Sequence, residues 1–142
     1  MSESAMLKRF GDRVGYSDSD RAKFGERDPR IRNIEKAAAS AGLYTIEAEV
    51  VESRHCNSGY KVGEKFILDA DGNFISKLCP KRLCVYAVSQ LAVPVALINE
   101  RLSEGLDPNS FHFMRQVRCL DVGVDCEGYG GVRMRVSLVP RK

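Results

Sequence analysis

Two hydrophobic periods run along the chain, and the switch between them sets its layout. Tyr44, Ile46, Ala48 and Val50 alternate with Thr45, Glu47 and Glu49, which predicts a strand with one buried face. A second β run spans Tyr60 to Asp69 and ends in Ala70-Asp71-Gly72-Asn73. Asp-Gly between β runs predicts a hairpin that returns through Phe74-Ile75. From Pro80 the period lengthens to that of a helix. Leu83, Ala87 or Val88, Leu91, Val95, Ile98 and Leu102 share one broad face, Pro94 predicts a kink or a split, and Gly105 the stop. Phe111, Phe113, Val117 and Cys119 alternate with His112, Met114, Gln116 and Arg118. Val132, Met134, Val136 and Leu138 alternate with Arg133, Arg135 and Ser137. These are two further predicted strands around a glycine-rich loop at 121–131.

The order of elements predicts an α+β fold. Its antiparallel sheet of four to five strands carries a kinked helix or helix pair, spanning 80–104, on one face. Upstream, residues 1–27 are polar, charged and punctuated by Gly11, Gly15 and Gly25, with at most a helical turn after Ser17 or Ser19. Phe10, Tyr16 and Phe24 are isolated there, a spacing that suits an arm lying on another surface and disordered when unbound. Asp28-Pro29 starts a helix with the narrow stripe Ile31, Ile34, Ala38 and Ala41, stopped by Gly42. Residues 1–42 therefore form an expected arm and helix contacting a larger subunit or a second copy of the chain. Residues 43–142 form the cysteine-containing domain.

Composition narrows the partners. The 142 residues are 44% hydrophobic and 29% charged, as in a globular domain, with a net charge of only +3. Basic and acidic residues interleave, so no nucleic-acid partner is expected. The first six residues do not read as a signal peptide, and Leu83–Ile98 is interrupted and short of the ~20 residues of a membrane span, so no membrane is expected either. Five cysteines without an export signal predict reduced thiols in the cytoplasm.

Candidate chemistry gathers at those thiols. Cys79-Pro80 is placed at a predicted helix start, where proline fits the first position and the helix dipole favours a thiolate. Cys84, among Leu83, Val85 and Tyr86, reads as a small buried hydrophobe. Cys56, Cys79, Cys119 and Cys126 fall in loops or at element ends. They could converge on zinc or an iron–sulfur cluster, with His55 replacing one sulfur; unconnected buried thiols are the alternative. Cys79 could instead act as a nucleophile with His55 or His112 as base. Glu127–Gly131 lacks the lysine and helix of a phosphate loop and reads as a flexible turn, and Asp69 and Asp71 read as hairpin residues. Arg118, Arg133 and Arg135 offer either a solvated face or a shallow basic patch for a carboxylate or an acidic partner.

The blocks Cys56-x-x-Gly59-Tyr-Lys-Val-Gly63-Glu-Lys-Phe66, Leu78-Cys79-Pro80 and Val117-Arg-Cys119-x-Asp121 form a pattern over residues 44–139. It resembles a small, largely uncharacterised cysteine-containing family common in anaerobic prokaryotes. The resemblance singles out Cys56, Gly63, Phe66, Cys79, Pro80 and Cys119, and leaves out Cys84 and Cys126. The chain departs from it by its first 43 residues, by an insertion after Cys119 and by lacking aromatics after Cys-Pro. It implies no established activity, though some such proteins look like accessory subunits of larger enzymes in anaerobic metabolism. The expected function is an accessory subunit with a cysteine-lined site able to hold metal. The alternatives are a small enzyme using Cys79 or His55 in a cleft, and a metal-binding regulatory module.

Overall fold

The computed structural model describes residues 4–40 and 42–141, so the Ala41 member of the helical stripe and the first three residues of the N-terminal segment lie outside the described residues. Strands β1 (Tyr44–Arg54) and β4 (Gly131–Pro140) pair antiparallel from Tyr44↔Pro140 to Arg54↔Gly131, with a register shift between Val50 and Glu52. Strand β2 (Lys65–Leu68) flanks β1 and β3 (Gln116–Arg118) flanks β4, giving the order β2-β1-β4-β3. The period-two pattern decides the faces. Ile46, Ala48, Val50, Phe66, Met134 and Val136 are fully buried, while Glu47, Glu49 and Arg135 stay on the open face.

Helices α4 (Val85–Val88) and α5 (Ala92–Ser103), with the turn between them, cover the buried face with Ala87, Leu91 and Ile98. Each large side chain so buried contributes roughly 1.5–3 kcal/mol. The expected split is present: a 3₁₀ turn, Ser89–Leu91, separates the two helices. Pro94 sits in the first turn of α5, where its missing N–H has no intrahelical partner to lose.

The N-terminal segment is helical throughout much of its length. It forms α1 (Ala5–Val14), α2 (Asp18–Ala22) and α3 (Pro29–Ser40). A capping box between Ser17 and Asp20 starts α2, and the Asp28 carboxylate accepts the Arg30 N–H at 2.9 Å at the start of α3. The surface on which this segment lies is the chain's own. Asn33 donates to the side chains of Asn99 and Ser103 on α5, and Arg32 pairs with Glu104 at 2.6 Å. Phe10, Tyr16 and Phe24 are not isolated: their rings pack in series, edge-on and then tilted, with centroids 5.7 and 5.5 Å apart, and the Arg30 guanidinium lies 4.0 Å over Phe24.

Three local expectations change. The helix begins at Val85, not Pro80. The hairpin return is one bridge, Leu68↔Phe74, followed by a 3₁₀ turn at Ser76–Leu78. The strand expected over 111–119 shrinks to three residues, because Met114 takes a left-handed backbone (φ 62°). Ahead of it, the Asn109 side chain occupies the edge of β4, bonding Leu138 O at 2.9 Å and Leu138 N at 2.8 Å in place of a strand. No helix among the described residues is long and apolar enough to cross a membrane.

Candidate functional site

Residues 79–84 stay extended because distant groups hold them. The Tyr60 hydroxyl, buried beneath the segment, donates to Arg82 O at 2.7 Å and accepts the Cys84 N–H at 2.7 Å. Its ring meets Phe66 edge-on at 5.0 Å, and the Tyr60 carbonyl accepts from Ser53 at 2.6 Å. Those tertiary bonds use the backbone groups that a helix from Pro80 would need.

Cys79 is consequently not at a helix start. Its Sγ accepts the Ile67 N–H and its S–H donates to Ile67 O, both at 3.3 Å. Ile67 lies on β2, an edge of the sheet, where the sulfur takes the Ile67 N–H and shares the Ile67 carbonyl with the Ile75 N–H at 2.9 Å, so this part of the edge is covered. Cys119 does similar work beyond β3, accepting the Val132 N–H at 3.4 Å. Both sulfurs are occupied structurally. A cavity of about 430 Å³ opens beside Cys79, walled by Tyr60, Lys65 and the 78–82 segment.

Cys84 is the residue at the helix start, as the cap of α4. Burial pushes its thiol up, but the Ser58 hydroxyl and the Ala87 and Tyr86 N–H groups outweigh burial and hold it below the ordinary 9.0. Burial also raises the Tyr60 hydroxyl, opposed by the Cys84 N–H bond and reinforced by the charges of Cys84 and Cys56. The sequence pattern assigned Cys84 to the core. It does pack partly against the core, as does Cys56, but it also faces Ser58 and Tyr60. Cys56 and Cys84 are the two sulfurs that flank Tyr60.

The four proposed ligands do not converge. Among the described residues no three His, Cys, Asp or Glu side chains gather where they could hold a metal ion. Cys79 lies on the β2 edge and Cys119 on the β4 side. Cys126 is exposed, at the mouth of a second cavity of about 520 Å³ shared with His55. Neither His55 nor His112 forms a hydrogen bond to a cysteine among the described residues, and neither lines the cavity beside Cys79, where the ionisable neighbours include Glu64 and Lys65.

The wall of that second cavity corrects another expectation. The 121–131 loop is pinned rather than flexible. The Asp121 carboxylate accepts the Gly123 and Tyr129 N–H groups at 2.9 Å each, and Gly128 N bonds Gly123 O at 2.7 Å. These bonds and the Gly130 N–H hold Asp121 below its ordinary carboxyl range. Gly130 presses onto the end of β1 so closely that a Cβ would lie 2.2 Å from His55 O and 2.4 Å from Arg54 O. His55 itself adopts a left-handed backbone (φ 51°) beside it.

A third feature has no periodicity to announce it. Leu83, Val85, Tyr86 and Leu120 are 44%, 63%, 61% and 59% exposed, and the Leu120 N–H bonds Tyr86 O at 3.1 Å, joining them across the chain. Lys81 and Arg82 precede this face and form no ion pair among the described residues. Comparison with protein-family models, curated proteins and solved structures gave no match.

Proposed function

We propose that the chain is a small accessory subunit that docks onto a larger protein through the face formed by Leu83, Val85, Tyr86 and Leu120. The observation that carries this is the exposure of four large apolar side chains joined by the Leu120–Tyr86 bond. Such faces on small domains mark contact with another protein. The uncompensated Lys81 and Arg82 select a partner whose apolar patch is rimmed by carboxylates. Residues 4–40 are less suited to the contact, because their aromatic rings and the polar side of α3 are used against the chain itself.

In this reading the cysteine-lined site lies behind the docking face, at Cys56, Tyr60 and Cys84, and the five free thiols suit a reducing bacterial interior. The cysteine-block resemblance points to anaerobic metabolism as the setting. A small enzyme is the second reading, favoured by the lowered Cys84 thiol beside Ser58. Purification of the tagged chain from its native cells tests the first. A larger subunit is expected to co-purify stoichiometrically and to be lost with Tyr86→Ser or Leu120→Ser. Retention of that subunit by both variants would remove the proposal.

A further inference from the structure

The open face of the sheet ends in a pair of arginines that form no ion pair among the described residues. Register places Glu52 opposite Arg133, and Arg133 opposite Arg118 on β3; two residues on, Arg54 lies opposite Gly131. Period two therefore puts Arg54, Arg133 and Arg118 on one face. Glu52 is taken by Arg133 at 3.3 Å, and Arg133 also donates to Gln116. Arg54 and Arg118 have no ion pair or hydrogen bond among the described residues, and both line the cavity of about 520 Å³. Gly131 contributes no side chain between them, and the floor there is formed by Cys119 Sγ and Asp121 O, 3.1 and 3.3 Å from where a Cβ would lie.

Two strand spacings and a two-residue offset along β4 set the Arg54 and Arg118 backbones about 12 Å apart, a gap that two extended guanidinium side chains can close on one anion. Of the two carboxylates in the lining, Asp121 is engaged by backbone N–H groups of its own loop. Asp125 also lines the cavity and disfavours a second negative group on the ligand. Val122 and Tyr129, both exposed, supply apolar lining to the same cavity. The backbone is held for this shape at a cost. His55 and Glu127 are two of three described non-glycine residues with left-handed φ, and one borders the cavity while the other immediately follows its Cys126 wall.

We infer that this cavity binds a small organic monocarboxylate, its acid group held between Arg54 and Arg118 and its apolar body lying against Val122 and Tyr129. The volume is that of a small-molecule site. The inference is independent of the docking face, which uses other residues.

Titration of the ¹⁵N-labelled full chain with phenylacetate, acetate and inorganic phosphate tests it. Phenylacetate is expected to move the Arg54, Arg118 and Tyr129 amide resonances saturably, and to bind more tightly than acetate or phosphate. Arg54→Gln and Arg118→Gln should each weaken it about tenfold or more, as loss of a charge-assisted pair does. Tyr129→Ser should weaken phenylacetate and leave acetate unchanged, and Tyr86→Ser should change neither. The spectra of these surface variants report directly that each is folded. No saturable shift, binding unaffected by both arginine variants, or phosphate binding as tightly as phenylacetate would each overturn the assignment.

Discussion

Replacing Tyr60 by phenylalanine isolates the bond pair that shapes the cysteine site. The ring remains against Phe66 at 5.0 Å, so no cavity opens. What disappears is one oxygen that serves both Arg82 O and Cys84 N at 2.7 Å. A polar group left unsatisfied in a buried setting costs about 1–3 kcal/mol. The segment is partly open to water, so the pair together should cost about 2–3 kcal/mol. For a chain of 142 residues, an unfolding entropy of about 2.1 cal/mol/K per residue turns that into a fall in Tm of about 7–10 °C. Differential scanning calorimetry reads the shift, and hydrogen exchange at the Cys84 amide should quicken with it. An unchanged Tm with an unchanged Cys84 amide would refute the claim that Tyr60 holds 80–84 out of the helix.

Three further outcomes follow from single contacts. Gly130→Ala pushes a methyl into His55 O and Arg54 O, backbone atoms that cannot swing aside, and should cost about 1–3 kcal/mol or more in urea unfolding. Gly25→Ala, with nothing within 4 Å, is the control expected to be neutral or slightly stabilising, and equal midpoints for the two would contradict the packing argument. Alkylation of Cys84, followed by mass spectrometry against pH, should show a midpoint below 9.0 that rises in Ser58→Ala; a midpoint indifferent to Ser58 would remove the hydroxyl's role. Asp28 is held at about 2, first by the Arg30 side chain and then by its N–H, against an ordinary 3.8. Its stabilisation of the α3 start is therefore complete above 3.8 and is lost as pH falls toward 2, so NMR titration of the α3 amides should show a midpoint near 2 rather than 3.8.

The central strands were legible because one physical fact, burial of a single face, writes itself as strict alternation. Ile46, Ala48 and Val50, and Val132 through Leu138, show it, and they are the residues at the centre of the sheet. The α3 start was legible for a local reason: the Asp28 carboxylate caps its own neighbour. Pro80 carried a similar local signal and gave no helix, because Tyr60, twenty and more residues upstream, captures Arg82 O and Cys84 N. The dipole argument thus belongs to Cys84 rather than Cys79. Asn109 hid itself in the same way. A side-chain amide that imitates a strand edge leaves no period in the sequence, and the alternating Phe111–Met114 stretch beside it imitated a strand instead. The glycines at 128 and 130 suggested freedom, whereas their use is close approach to other backbone. Side-chain-to-backbone bonds over long sequence separations account for most of the differences.

The docking face is tested most directly by hydrogen–deuterium exchange on the native complex, compared with the free chain. Partner binding is predicted to protect amides at 82–88 and 118–121 while leaving those of α1 to α3 unchanged. Protection confined to residues 5–40, with 82–88 and 118–121 exchanging as in the free chain, would contradict it.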